Sequence, residues 1–177
     1  MILEKTKIAI VGEDWDVVDL IEQLPDLEIA GFFAPTISHL GPYSHLGSDE
    51  AWEAGSDLKV ILAVDIPHIR AKLLKHYGPE AVYTLKSPQA YISQRADISY
   101  GCIIQRGVTI MPHTKLGIAC KVNVNATIHH GAKIGNFCTL SPGALILGNV
   151  IIEDEVYIGA GAIIKQRCRI GAGAMVG

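Results

Sequence analysis

The length, composition and charge of the chain set the first limits on what it can be. Its 177 residues fit one domain or two small ones, and 49% hydrophobic with 19% charged residues excludes a disordered polyelectrolyte. The net charge of -3 gives no general attraction for nucleic acid, and no apolar run reaches the ~18 residues of a membrane span. These limits predict a cytoplasmic protein that binds neither nucleic acid nor membrane.

The charge is distributed unevenly along the chain. Residues 1–89 hold 7 lysines and arginines against 14 acidic residues, whereas residues 90–177 hold 8 against 4. This contrast predicts two modules, which we place at residues 1–86 and 87–177. A basic second module would attract an anionic ligand.

The first module alternates strand and helix patterns. Apolar runs predict strands at 7–11, 28–33, 58–64 and 81–85, and helical patterns follow near Val17 and at 68–77. This alternation is typical of a small parallel α/β (Rossmann-like) domain. Ligands of such sheets bind at the carboxyl ends of strands, which makes Gly12 a candidate substrate-binding residue. The loop that follows, 13–16, carries three carboxylates and one glycine precedes it, so by itself it is a poor anion site.

The second module is a six-residue repeat. Ile, Leu or Val occupies every sixth position from Ile92 to Val176 without an insertion, and a mostly small residue follows each of them by four. Six residues make a short strand and a corner, so three hexads close a triangular coil, and fifteen make about five coils. Glycine or asparagine stands at many corners and tolerates a left-handed backbone. The pattern predicts a parallel β-helix that ends in mid-repeat.

The cysteines follow the same period. Cys102, Cys120, Cys138 and Cys168 all occupy the small position, and the first three are spaced 18 apart. They have no CxxC spacing and no histidine partner of the kind that metal sites use. We therefore expect four small buried hydrophobic residues in a reducing compartment, and no metal.

Chemistry in such a repeat must lie on the outer surface, because the inward positions are filled. His113, His129 and His130 are the histidines of the repeat, and histidine suits general-base work because its ordinary pKa is near neutral. Gly148 is 18 residues after His130 and should lie directly above or below it. A glycine there leaves room beside the imidazole and a backbone N–H that can face an oxyanion.

The repeat segment ATIHHGAKIGNFCTLSPGALILGNVIIEDEVYIGAGAII resembles the hexapeptide-repeat acyltransferases. The nearest group is that of the sialic-acid O-acetyltransferases and sugar-nucleotide N-acetyltransferases, which includes the bacillosamine and perosamine enzymes. The resemblance implies a left-handed β-helix, a homotrimer, acetyl-CoA bound between subunits, and a sugar or nucleotide-sugar substrate for surface glycan synthesis.

The resemblance also implies roles for individual residues. His130 would be the general base, Asn123 its upstream catalytic partner and Gly148 the oxyanion donor. Thr139, Ala160 and Gly161 would contact the cofactor. A sugar amine or hydroxyl deprotonated by His130 would attack the thioester of acetyl-CoA.

The chain departs from the family pattern at several places. Gly131 follows the histidine where an acidic residue is usual, and Thr139 replaces a second histidine. The loop 13–16 replaces a glycine-rich loop, and Ala34-Pro35 replaces an acidic pair. The last two changes argue against the binding of a uridine nucleotide.

Other functions stay open at this point. A trimeric β-helix kept as a scaffold or binding module without turnover is one alternative, and transfer of a longer acyl chain is another. A γ-class carbonic anhydrase shares the fold but needs a second histidine where this sequence has Asn125.

Overall fold

A four-stranded parallel sheet with one helix on each face forms the first part of the computed structural model, which describes residues 5–36 and 40–177. The sheet order is β3-β2-β1-β4, and a short 3-10 helix covers Asp49–Ala51. Within the described residues, no helix has the length and apolarity needed to cross a bilayer. The elements are β1 (Thr6–Val11), α1 (Trp15–Glu22), β2 (Leu27–Phe33), β3 (His45–Gly47), β4 (Lys59–Leu62) and α2 (Pro67–Tyr77).

Two details of this sheet differ from the sequence prediction. The strand predicted at 81–85 is wrong, because Val82 makes only an isolated parallel bridge to Val60 and Leu85 belongs to another sheet. The prediction also lacked β3, a three-residue edge strand of His, Leu and Gly. An edge strand that pairs on one side only needs little apolar patterning, so its sequence gives a weak signal.

Sixteen two-residue strands build a parallel β-helix after the first sheet. Each pairs in parallel with the strand 18 residues away, and three sheets of six, five and five strands result. The hexapeptide period and these sheets fit a left-handed β-helix. The strands are β5 (Leu85–Lys86), β6 (Tyr91–Ile92), β7 (Asp97–Ile98), β8 (Ile103–Ile104), β9 (Thr109–Ile110), β10 (Lys115–Leu116), β11 (Lys121–Val122), β12 (Thr127–Ile128), β13 (Lys133–Ile134), β14 (Thr139–Leu140), β15 (Leu145–Ile146), β16 (Ile151–Ile152), β17 (Tyr157–Ile158), β18 (Ile163–Ile164), β19 (Arg169–Ile170) and β20 (Met175–Val176).

The interior and the corners follow the predicted period. The second residue of each strand from β6 to β20 packs into or against one apolar column. Every sixth residue from Gly101 to Gly173 has a positive φ, including all the predicted Gly and Asn corners. Ala119, Phe137 and Glu155 also adopt this conformation, although they have no intrinsic preference for it. The closure of the coil therefore imposes the corner geometry on whatever residue stands there.

Three of the four cysteines form the predicted ladder. The Sγ atoms of Cys102, Cys120 and Cys138 lie 3.1, 3.0 and 3.0 Å from backbone carbonyl oxygens of the neighbouring corner. Burial raises the pKa of the Cys120 thiol well above its ordinary value, which keeps it unreactive. The prediction is wrong for Cys168, which is exposed in the described structure.

The β-helix has three outer faces of different character, formed by the first residue of each strand. The docked face is covered by the first sheet and its helices at Leu85, Ile103, Lys121 and Thr139. The charged face carries Asp97, Lys115, Lys133, Ile151 and Arg169. The open face has no charged side chain and carries Tyr91, Thr109, Thr127, Leu145 and Ile163, of which Tyr91 is 59% and Ile163 63% exposed.

Candidate functional site

A cavity of about 650 Å³ lies between the first sheet and the β-helix. One wall is formed by the loops that follow β1 and β4, at the carboxyl ends of two neighbouring strands, where parallel sheets bind ligands. The other wall is the docked–open corner, which is the set of turns where the chain passes from the docked face to the open face. This corner contributes Asn123, Ser141, Pro142 and Ala160.

A buried lysine joins the two walls of the cavity. Lys121 is 1% exposed, and its Nζ atom lies 2.5 Å from the Asp14 carboxylate and 2.8 Å from the Asp65 carboxylate. Asp14 also caps α1, because its carboxylate accepts a hydrogen bond from the backbone N–H of Val17 at 3.1 Å. Both neighbouring loops are thereby fixed to the β-helix.

A buried arginine fastens α2 to the docked face. The guanidinium of Arg70, which is 1% exposed, donates to five oxygens at 2.6–2.9 Å. Burial lowers the pKa of this guanidinium, and the full set of hydrogen bonds offsets the cost of removing the charge from water. Its acceptors are the carbonyls of Val64, Ala119, Phe137 and Cys138 and the hydroxyl of Thr139.

His130 lies on a different corner, the open–charged corner, where the chain leaves the open face. Its side chain is exposed, and Gly148 packs against the ring as the 18-residue period predicts. A Cβ atom on Gly148 would lie 3.0 Å from Cε1 and 3.1 Å from Nε2 of the imidazole. The absence of a side chain at Gly148 therefore leaves the space that the imidazole occupies. The backbone N–H of Gly148 donates to no acceptor among the described residues, although the residue itself is buried beside the ring.

If His130 is the base of the transfer reaction that the resemblance implies, Gly148→Ala should lower kcat about 10²-fold, because the added methyl group displaces the imidazole. The melting temperature should stay close to that of the wild type, since an exposed ring can move aside. Gly171→Ala is the matched control, because its added methyl group meets no atom within 4 Å. Equal activity of the two variants would show that the position of the His130 ring does not matter.

The structure distributes the predicted site residues unevenly. Asn123 and Ala160 line the cavity, and Gly161 is exposed beside them at the same corner. Gly12 is not among the residues that line the cavity; it ends β1 with φ +97°, and a Cβ there would meet Val64 at 3.1 Å. Thr139 has no open surface for the predicted cofactor contact, because it is fully buried. Its hydroxyl accepts from Arg70 and donates to the Asp65 carbonyl.

Within one chain, the predicted catalytic residues do not meet. Asn123 stands where the chain enters the open face and His130 where it leaves, on either side of β12. One side of the coil is about five residues long, or roughly 16 Å at ~3.3 Å per residue. On this estimate, a single site that held both residues would need two copies of the chain.

Sequence reasoning missed Arg70, Lys121 and Ser141. Lys121 did carry a signal, since it is the sole charged residue at outward positions 85, 103, 121, 139 and 157, one column of the repeat. Arg70 stood in an ordinary helix pattern, and nothing local distinguishes it from a surface arginine. Among the described residues, no group of three or more His, Cys, Asp or Glu side chains is arranged to hold a metal ion.

No protein-family model matches the chain. Among curated proteins, it is similar to the GDP-perosamine N-acetyltransferase of Escherichia coli O157:H7, with 39% identity over 90 residues. That match covers 51% of this chain and 40% of the relative. The chain thus spans less than half the length of the first curated relatives that it matches.

Solved structures match almost the whole chain. WeeI from Acinetobacter baumannii AYE has a TM-score of 0.84 and 25% identity, over 96% of this chain and 88% of that one. The acetyltransferase domain of PglB from Neisseria gonorrhoeae FA1090 has a TM-score of 0.82 and 22% identity, over 97% and 96%. The same domain, solved in complex with acetyl coenzyme A, gives 0.78 and 21%, over 97% and 95%. These similarities confirm the predicted resemblance: part of the chain is similar in sequence to a sugar-nucleotide N-acetyltransferase, and the solved structures share its fold over nearly its whole length.

Proposed function

We propose that the chain is an acetyl-CoA-dependent acetyltransferase that acts on a sugar or nucleotide-linked amino sugar in the cytoplasm, for surface glycan synthesis. Residues 1–86 would be the Rossmann-like substrate-binding domain, and residues 87–177 the left-handed β-helix that carries the chemistry. The strand β5 (Leu85–Lys86) at the end of the first range already pairs with β8 of the β-helix. The names of the relatives and the acetyl-CoA complex of the PglB domain support this assignment.

The observation that carries the proposal is the pairing of His130 with Gly148. An exposed imidazole beside an unoccupied backbone N–H offers a general base and an oxyanion donor in one place. The acceptor nitrogen attacks the thioester carbonyl, and its proton passes to His130. The oxyanion, held by the Gly148 N–H, then collapses, the carbon–sulfur bond breaks, and the thiolate takes the proton as CoA-SH.

The separation of the two corners supports the proposed assembly as a homotrimer. A ring of three chains joined head to tail would bring the His130 corner of one protomer to the Asn123 corner of the next. The open face lies between these corners, and its uncharged side chains, of which Tyr91 and Ile163 are exposed, suit burial against a second copy. The site would then be complete only between subunits.

The cofactor would lie along the same interface between two protomers. Lys165 and Arg167 are exposed in the coil next to Gly148, and the backbone N–H of Arg167 donates to the Gly148 carbonyl at 3.1 Å. Their charges suit the phosphates of CoA. Ala160 and Gly161 would contact the pantetheine arm from the facing protomer, whereas Thr139 is too deeply buried to do so.

The variant Leu145→Glu tests the proposal at the centre of the open face. We expect sedimentation at about 10 µM to show a trimer for the wild type and a monomer for the variant, because each interface would bury an unpaired charge. The variant should also lose acetyl transfer. Ile151→Glu is the matched control, since it adds the same charge on the charged face.

Two results would contradict the proposal. Full activity of monomeric Leu145→Glu would place the whole site in one chain. A wild-type trimer that neither binds nor turns over acetyl-CoA in calorimetric titration would favour the scaffold function instead.

A further inference from the structure

The walls of the cavity carry an unusual charge for a site that receives a sugar nucleotide. Four carboxylates line it, those of Glu13, Asp14, Asp16 and Asp65. Of the described residues that line the cavity, Lys121 is the sole cation, and Asp14 and Asp65 already pair with it. Glu13 and Asp16 have no hydrogen-bond or ion-pair partner among the described residues. The cavity is therefore net negative.

The usual place for a phosphate beside such a sheet is already occupied. The residues at the N-terminus of α1, Asp14 to Asp16, line the cavity, and a helix N-terminus commonly binds an anion. Here Asp14 supplies that anion from the chain itself, and Asp16 adds a second negative charge in the first helical turn. A nucleoside diphosphate would meet carboxylates where it needs donors.

Neutral polar groups complete the other wall. Ser141 is 3% exposed, lines the cavity, and its Oγ has no hydrogen-bond partner among the described residues. Asn123, one coil away, donates from Nδ2 to the Leu140 carbonyl at 3.2 Å and keeps Oδ1 as an acceptor. An orphaned buried hydroxyl costs free energy unless a ligand satisfies it. These groups suit the hydroxyls and the N–H of a small polar ligand.

We propose that the cavity binds the acceptor as a free, ammonium-bearing amine without a nucleoside diphosphate, such as an unactivated amino sugar. This inference rests on the proposed function and specifies its substrate class. Glu13 and Asp16 attract the ammonium, and Ser141 and Asn123 bind its polar substituents. The ammonium loses one proton to water before the neutral nitrogen attacks acetyl-CoA, so the products are the amide, CoA-SH and one proton.

The test compares perosamine with GDP-perosamine, which differ in the nucleoside diphosphate alone. We expect kcat/KM for perosamine, followed by mass spectrometry of the acetylated product, to exceed that for GDP-perosamine at least about tenfold. The KM for perosamine should rise with salt between about 20 and about 300 mM, because the screening length falls well below 10 Å over this range. Binding of each probe is measured by calorimetry in parallel.

Paired variants separate charge from structure. Glu13→Gln with Asp16→Asn should raise the KM for perosamine about tenfold and leave the KM for acetyl-CoA unchanged, because neither carboxylate has a hydrogen-bond or ion-pair partner among the described residues. Asp19→Asn is the control, since this exposed carboxylate of the same helix does not line the cavity. It should behave as the wild type.

The outcomes distinguish this inference from the proposed function. Preferred acetylation or tighter binding of GDP-perosamine overturns the inference and leaves the acetyltransferase standing. Binding of neither probe also overturns it. If acetyl-CoA does not bind at all, the proposed function fails, yet perosamine binding that weakens in the double variant still supports the amine site.

Discussion

Replacing His130 by alanine is expected to lower kcat for acetyl transfer about 10²–10⁴-fold, which is the usual contribution of a positioned general base. The reason is the loss of the group that accepts the proton of the attacking nitrogen, whereas the Gly148 donor stays in place. The side chain is exposed and lies outside the apolar column, so the variant should keep the melting temperature and the assembly of the wild type.

His129→Ala is the natural control for this experiment. The two imidazoles are neighbours, with ring centroids 6.1 Å apart, but His129 does not pack against Gly148. We expect kcat of this variant to stay near the wild-type value. If His130→Ala kept full activity, or if His129→Ala lost as much, the assignment of the base would be wrong.

Arg70→Met is expected to lower the free energy of unfolding by about 3–5 kcal/mol, because several buried acceptors lose their donor at once. For a chain of this length, such a loss corresponds to a melting temperature lower by about 10 °C. The substitution preserves the apolar stem of the side chain, so the loss reports on the guanidinium. Ligand binding in the cavity should weaken as well, since Arg70 holds the Val64 carbonyl at one of its walls.

Two variants test the interpretation of Arg70. Arg70→Lys retains a positive charge but cannot donate hydrogen bonds to all five acceptors. It should therefore recover only a minor part of the stability that Arg70→Met loses. Arg95→Met removes an exposed arginine of the β-helix and should change the free energy of unfolding by less than about 0.5 kcal/mol. A melting temperature of Arg70→Met within about 2 °C of the wild type would show that the guanidinium does not hold the two parts together.

The repeat could be predicted from the sequence because its signal is periodic and redundant. Every strand from β6 to β20 ends on a predicted aliphatic position, and the 18-residue period alone places Gly148 beside His130. A closed coil forces each hexad into the same geometry, so even Phe137 and Glu155 take the corner conformation. The backbone preferences of individual residues that disagree with the repeat therefore do not change the fold.

The contacts between the two parts of the chain could not be predicted, because they depend on how separate elements pack. Arg70 reaches Phe137 and Cys138 across almost seventy positions, and Lys121 reaches Asp14 across more than a hundred. Thr139 shows the same limit. Its position in the repeat predicts that the side chain points outward, but it does not predict that a helix of the first part of the chain covers that side chain. The proposed interface between copies of the chain is harder still to predict from the sequence, because it depends on a second molecule.

The most direct test of the account is complementation between two inactive chains. His130→Ala removes the base from one corner, and Ala160→Trp fills the cavity at the other. Each variant alone should be inactive. When equal amounts of the two variants form head-to-tail trimers at random, about a quarter of the sites combine a native His130 with a native Ala160 from the neighbouring protomer. About a quarter of wild-type activity should therefore return. Mixed trimers that form normally but stay inactive would contradict a site built between subunits.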